Sequence, residues 1–318
     1  MRKGNYTTND DIEILKLNLI AIFKGGYMRV KSKSIITTLC ALLILSSTPS
    51  YAEVKFGVQA PRGALQALKR WGKMEDYLSS AVGEKVKLVP LKPNETVAAV
   101  SNGEVDFMLC NPVLGVTLQK NVNSIPIATM KKKSGAQFAG VIIASKKSGI
   151  KRVEQLKGKK VMGFKFKRSA AAYVFQVKHL MDKGIDSHKD FKVFKEAKKQ
   201  DDIVLAVKAG VFDAGFIKSG LLESMIKEGK IKRSDIVVLD AKNDSLPDLH
   251  STALYPEWTV MSASKVSSAK QQKVQKALLG LKGNHIAAKT AKIVGFVKPL
   301  SFAGLEDTLR TMKLPPFK

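Results

Sequence analysis

Hydrophobic positions from Val54 onward alternate between short apolar runs and longer stretches where apolar residues recur every three or four positions. The runs at 54–58, 86–89 and 105–110 predict strands of a buried sheet. The periodic stretch at 64–82 predicts a helix between the first two strands. Strand–helix–strand repetition of this kind indicates an α/β fold with right-handed crossovers.

The same alternation begins again after the lysine-rich turn at 131–133. It predicts further strands at 139–144, 161–164, 191–194, 214–217, 236–239 and 259–262. It predicts further helices at 169–183, 202–209, 267–281, 284–293 and 303–312, in addition to one at 95–101 in the first cycle.

An internal repeat accompanies the two cycles. The pattern Val-x-x-Gly-x-x-Asp at 100–106 recurs at 207–213, each time between a predicted helix and a predicted strand. Such joints are common in α/β proteins, so the repeat could be a coincidence. Together with the matched cycles, it favours two similar lobes over one long sheet.

Residues 28–52 have the pattern of a secretory signal peptide. A basic stretch at 28–33 precedes an apolar run at 35–45, and Ser50-Tyr51-Ala52 fits a signal-peptidase site. The apolar run is shorter than the roughly 20 residues that span a bilayer. We therefore expect an exported protein that is cleaved before Glu53, with residues 1–27 lying upstream of the true start.

The large positive net charge of the chain calls for an explanation. The 318 residues include 54 Lys and Arg against 27 Asp and Glu, a net charge of +27. Removal of residues 1–52 takes away seven basic and three acidic residues and leaves +23. This surplus suggests nucleic acid, a membrane surface or an anionic ligand as a partner. Cys110 is then the single cysteine, and we expect a buried thiol.

Residues suited to an anion follow four predicted strands. In open parallel sheets, ligands bind beyond the carboxyl ends of the strands, where helix N-termini also favour anions. The candidates at these ends are Arg62, Asn111, Arg168 with Ser169, and Lys218 with Ser219. Each could instead be a solvated loop charge or a helix cap. Their common position at strand ends favours an anion site.

Several runs resemble one known family. They are Phe56-Gly57-Val58 to Arg62-Gly63, the Trp71/Tyr77-Leu78 helix, Gly103-Glu104-Val105-Asp106-Phe107 to Asn111-Pro112, and His250-Ser251-Thr252 to Tyr255-Pro256-Glu257-Trp258. Over about 54–315 the chain resembles the phosphate/phosphite/phosphonate-binding (PhnD-like) periplasmic solute-binding proteins. It is most similar to the periplasmic sensor domains of tetrathionate-type sensor histidine kinases.

The resemblance implies a type 2 periplasmic-binding-protein fold, with two α/β lobes, a hinge and a ligand cleft between the lobes. The first lobe would comprise 53–138 and 256–318, and the second 139–255. Such a protein captures a small oxyanion by hinge closure in the periplasm and delivers it to an ABC transporter. The alternative is a stand-alone sensor that reports the anion to a separate histidine kinase, since the sequence stops where sensor relatives continue into a membrane helix. Tyr173, His250 and Tyr255 complete the predicted ligand-binding set.

Two departures from the phosphonate-binding pattern bear on the ligand. Arg168-Ser169-Ala170-Ala171-Ala172 stands where transporter members have a Ser-Thr-Ser-Gly run, and Gly115 stands where an aromatic residue is common. Fewer hydroxyls favour a larger or differently charged anion, phosphonate-like or a sulfur oxyanion, held more by cations. Those cations would be Arg62, Lys165, Arg168 and Lys218.

Other functions have weaker support. HExxH, CxxC, GxSxG and P-loop motifs are missing and the four histidines are scattered, so we expect neither an enzyme, a metal nor a cofactor. Basic residues are dispersed with few aromatics between them, which does not fit a nucleic-acid groove. We expect a monomer with weak, salt-sensitive contact to an anionic envelope surface.

Overall fold

A computed structural model describes residues 53–318. The predicted signal peptide at 28–52 and the upstream segment at 1–27 lie outside the described residues. Within 53–318 the chain forms two large sheets flanked by helices and one two-stranded ladder. Cys110 is buried, as expected.

Thirteen strands follow one another along the described chain. In order they are β1 (Val54–Gln59), β2 (Val86–Leu91), β3 (Phe107–Cys110), β4 (Ile125–Lys131), β5 (Gln137–Phe138), β6 (Gly140–Ser145), β7 (Lys160–Phe164), β8 (Val193–Ala197), β9 (Ala214–Lys218), β10 (Ile236–Leu239), β11 (Tyr255–Pro256), β12 (Thr259–Ser262) and β13 (Gly295–Val297).

The α-helices lie mostly between these strands. They are α1 (Ala64–Val82), α2 (Thr96–Asn102), α3 (Pro112–Val122), α4 (Phe175–Met181), α5 (Gln200–Lys208), α6 (Leu221–Lys227), α7 (Ser268–Gly280), α8 (Ile286–Ala291) and α9 (Ala303–Thr311). Within 53–318, no helix has both the length and the apolar content to cross a membrane.

The two large sheets share one topology. The first has the order β2-β1-β3-β12-β4-β13 and the second the order β8-β7-β9-β6-β10. In each, three parallel strands are followed by an antiparallel strand, β12 or β6, which the chain enters on crossing from the other sheet. The sheets therefore form two lobes of the same design, as expected. The boundaries of these lobes stay predictions.

The crossing segments pair with each other. β5 and β11 form an antiparallel ladder in which Phe138 lies opposite Tyr255. Tyr255 also stacks on Phe175 of the second lobe, with ring centroids 3.9 Å apart. Its hydroxyl bonds to Oγ1 of Thr308 in α9, at 3.0 Å. The link between the lobes therefore packs against both of them through Tyr255.

The sequence repeat has the same structural role in both lobes. A carboxylate oxygen of Asp106 accepts from the Lys55 N–H at 2.8 Å, and one of Asp213 accepts from the Lys160 N–H at 2.7 Å. The backbone N–H of each aspartate donates back to the same lysine's carbonyl, at 2.9 Å. The glycines of the two copies have φ values of 74° and 78°. The repeat therefore marks equivalent joints.

Part of the second lobe differs from the predicted elements. A continuous helix was expected over 169–183, but Ala170–Val174 is a π-type turn, and α4 begins only at Phe175. The buried amide of Gln176 explains the interruption, because its Nε2 donates to the carbonyls of Ala171 and Ile217, at 2.9 and 2.8 Å. A side chain thus replaces regular helical hydrogen bonds.

Candidate functional site

Four cations and one carboxylate lie close enough together for their charges to interact. Lys218 is the last residue of β9, and Lys132 comes directly after β4. Arg62 lies between β1 and α1, while Arg70 belongs to α1. Glu257 lies on the crossing segment between β11 and β12. We call these five residues the cleft cluster, because they come from both lobes and from the segment that joins them.

The pKa of Lys218 reflects its burial and the charges of the other four residues of the cleft cluster. Its pKa is lowered from 10.5 to about 8, mainly by burial and also by the charges of three neighbouring cations, Lys132, Arg70 and Arg62, while Glu257 opposes them. An ammonium group that is half-buried among like charges is destabilised unless an anion approaches it. Burial also lowers the pKa of Arg70. The cleft cluster therefore favours an added negative charge.

Glu257 supplies part of that charge. Its carboxylate is 2% exposed and forms an ion pair with Lys132. The ion pair leaves three cations of the cleft cluster with no carboxylate of their own in it. The cleft cluster thus keeps a net positive charge when the lysines are protonated.

One hydrogen bond joins the lobes near the cleft cluster. Nζ of Lys165, in the loop after β7, donates to the carbonyl of Pro61 at 3.1 Å. Lys165 has a left-handed backbone with φ of 44°, and its own carbonyl accepts from the N–H groups of Arg168 and Ser169. This turn brings the second-lobe loop to the residue that precedes Arg62.

Arg62 and Lys218 are the predicted site residues that the structure brings together. Arg168 is exposed, and Ser169 is half-buried at the start of the π-type turn. Both lie in the loop of Lys165, which reaches the first lobe. A ligand-binding role for Arg168 and Ser169 stays a prediction.

Asn111 and Ser219 are engaged with neighbouring groups. Asn111 caps α3 by accepting from the Leu114 N–H at 3.2 Å and donates its amide to Oε1 of Gln59 at 2.9 Å. Oγ of Ser219 accepts from the Ala139 N–H at 3.2 Å. These bonds hold Asn111 at the end of β1 and Ser219 at the residue between β5 and β6. Ligand contact by either residue stays a prediction.

The other three predicted ligand residues lie in packed surroundings. The Tyr173 hydroxyl bonds to Nε2 of His188 at 2.7 Å, and burial raises its pKa to about 12. His250 is fully buried, with ring nitrogens bonded to the Asp248 carbonyl and the Asp244 carboxylate. Tyr255 belongs to the link between the lobes. The hydrogen bonds of these three side chains run to residues outside the cleft cluster, and a ligand-binding role for each stays a prediction.

Sequence reasoning missed Arg70, Lys132 and Glu257. Lys132 follows the strand β4, which was not predicted, so the strand-end rule was not applied there. Arg70 is next to Trp71, a buried residue of α1, and a charge flanking a buried aromatic is the signal available in the sequence. Within 53–318, no group of three or more His, Cys, Asp or Glu is arranged to hold a metal ion.

Comparison with known proteins gives one family over most of the chain. Residues 56–301 match the family described as ABC transporter, phosphonate, periplasmic substrate-binding protein. The tetrathionate sensor histidine kinase TtrS of Salmonella typhimurium is 27% identical over 295 residues, which are 91% of this chain and 48% of the kinase. The chain therefore spans about half the length of this curated relative.

Solved structures agree on the fold. PhnD1 from Prochlorococcus marinus, in complex with methylphosphonate, has a TM-score of 0.64 at 17% identity, covering 82% of this chain and 98% of that one. XAC2383 from Xanthomonas citri, bound to ATP, has a TM-score of 0.66 at 14% identity, covering 81% and 94%. These likenesses establish the type 2 periplasmic-binding-protein fold that the sequence led us to expect.

Proposed function

The chain belongs to the family of periplasmic substrate-binding proteins of phosphonate ABC transporters, and from this we propose that its cleft cluster captures a small oxyanion for delivery to a permease. The anion would bridge Arg62 and Arg70 of the first lobe and Lys218 of the second, with Arg168 and Ser169 closing over it. Binding would select the closed form through contacts that only this form makes.

The observation that carries this proposal is the half-buried position of Lys218 at the end of β9 among neighbouring cations, which lowers its pKa. The positive charge of a lysine is destabilised in a half-buried position beside three like charges. An oxyanion there would restore the lost solvation through charge-assisted hydrogen bonds. Binding of the anion would therefore offset the free-energy cost of holding the charged Lys218 in the ligand-free protein.

Calorimetric titration with phosphate, methylphosphonate, phosphite, thiosulfate and tetrathionate tests the proposal. We expect at least one of these anions to bind, and Lys218→Met to weaken it roughly 10- to 100-fold because a charge-assisted bond is lost. Lys195→Met is the matched control, since it removes the same charge from an exposed position on β8. Binding that Lys218→Met leaves unchanged would move the ligand away from the cleft cluster.

A sensor role is the second candidate, because the similarity to the tetrathionate sensor kinase covers 91% of this chain. The same cleft would then report the anion, tetrathionate or another sulfur oxyanion, to a separate histidine kinase. Gene deletion separates the two roles. Loss of anion uptake supports transport, whereas loss of anion-dependent transcription with intact uptake supports sensing.

Further parts of the proposal concern catalysis, oligomeric state, export and contact with the envelope. The protein would act without catalysis, as a monomer, after cleavage of the signal peptide before Glu53. Surface lysines would make only weak, salt-sensitive contact with the envelope. Mass spectrometry of the periplasmic form tests the cleavage site, and light scattering tests the monomer.

A further inference from the structure

Glu257 is an acidic side chain in the middle of a cluster otherwise suited to an anion. It is 2% exposed, whereas the side chain of its partner Lys132 is 28% exposed. Its charge also favours the protonated forms of Lys218 and Arg70. Where water is excluded, a carboxylate repels an incoming anion strongly. A site that only attracted anions would bind them more tightly without this carboxylate, so the presence of Glu257 points to a further role.

The carboxylate is held in place. The Glu257 N–H donates to the carbonyl of Ala136 at 2.9 Å, which fixes the residue next to the ladder of β5 and β11. One carboxylate oxygen is paired with Lys132, and the other accepts from the Trp258 N–H at 3.2 Å. A carboxylate has about four acceptor positions, so about two remain. Glu257 is thus a fixed acceptor with spare capacity.

We propose that Glu257 determines specificity by accepting a hydrogen bond from the hydroxyl group of a protonated oxyanion. This inference rests on the proposed function and narrows its ligand class. A hydrogen phosphonate or hydrogen phosphate can turn its charged oxygens towards Lys218 and Arg70 and its O–H towards Glu257. A sulfonate of the same charge has only bare oxygens, and one of them would face the carboxylate. Sites built for a ligand hydroxyl reject analogues that lack it.

Methylphosphonate and methanesulfonate provide a matched pair of ligands. At pH 6 both carry mainly one negative charge and have similar shapes, but only the phosphonate has a hydroxyl group. By calorimetry, we expect the wild-type protein to bind methylphosphonate about 10-fold or more tightly than methanesulfonate. Glu257→Gln should reduce this preference to about threefold or less, because an amide can donate to a bare oxygen as well as accept.

Glu84→Gln is the matched control for the variant. Glu84 is also a carboxylate paired with lysines, Lys270 and Lys273, but it precedes β2 at the amino end of the first sheet. This control should keep the full preference, and thermal unfolding of each variant checks that it is folded.

Two results would overturn the inference while the proposed function stands. They are equal affinities of the wild-type protein for the two anions, and a preference that survives Glu257→Gln. The wild-type ratio needs no variant, so the test holds even if Glu257→Gln does not fold. If no oxyanion of the wider panel binds to the wild-type protein, the proposed function fails and this inference falls with it.

Discussion

Lys218 has a pKa of about 8 in the folded protein, against 10.5 ordinarily. Between these values the unfolded chain holds a proton that the folded chain has lost. The free energy of unfolding therefore rises with pH across this window, and the full penalty of the buried charge applies below about pH 8. Lys218→Met should accordingly stabilise the ligand-free protein at pH 7, by about 1–3 kcal/mol. The positive charge of Lys218 thus favours binding of an anion but lowers the stability of the ligand-free protein.

Anion affinity should have the opposite pH dependence. Above about pH 8, Lys218 loses its proton because burial, and to a lesser extent the charges of Lys132, Arg70 and Arg62, lower its pKa. Affinity should then fall by up to about tenfold per pH unit. Titration with thiosulfate between pH 6.5 and 9.5 measures this, since thiosulfate does not change its charge there. Lys218→Arg should remove the decline because arginine stays protonated. An equal decline in Lys218→Arg would assign the titration to another group.

At the scale of elements, the two aspartates of the repeat support equivalent strand joints. Asp106→Ala and Asp213→Ala should each lower the free energy of unfolding by about 1–2 kcal/mol, because each removes the acceptor for a backbone N–H. The asparagine variants should cost less, since their side-chain oxygen still accepts. The joints lie in different sheets, so the double alanine variant should be additive within about 0.5 kcal/mol. Urea denaturation measures all of these values, and a large excess over the sum would contradict independent joints.

Most strands and helices follow from apolar patterning, whereas some elements depend on contacts far along the chain. β4 was missed because Pro126 interrupts its pattern, and the register with β12 shifts at that position. Proline provides no N–H for a ladder, so the sequence does not resemble a regular strand there. The break at Ala170–Val174 depends on Gln176, whose buried amide reaches a carbonyl of β9. A local pattern cannot predict such a partner.

In the candidate site, too, some residues could be predicted from the local sequence and others depend on tertiary packing. The strand-end rule finds Arg62 and Lys218, because it needs only the end of each apolar run. Arg70 and Glu257 join them through folding of α1 and of the crossing segment, which no local spacing specifies. Tyr173 fits a helix start near the cleft in sequence, but its hydroxyl is bonded to His188. Proximity along the chain locates the region, and packing decides which side chains reach it.

At the scale of the whole molecule, lobe closure can be tested at the bond between Lys165 and the Pro61 carbonyl. Lys165→Ala should shift the ligand-free protein towards open forms, so that its radius of gyration in solution scattering increases while that of the anion-saturated protein does not. Affinity should fall about two- to fivefold, since the binding-competent form becomes less populated. A loss of affinity without any change in scattering would mean that Lys165 contacts the ligand instead.

Lys167→Ala is the control for this experiment. Lys167 is exposed in the same loop and also has a left-handed backbone, with φ of 65°. Both substitutions therefore remove one positive charge at a position of similar backbone strain, and only Lys165 donates to the first lobe. A larger radius of gyration in both variants would trace the opening to the loop as a whole. An increase confined to Lys165→Ala would trace it to the hydrogen bond from Lys165 to the Pro61 carbonyl.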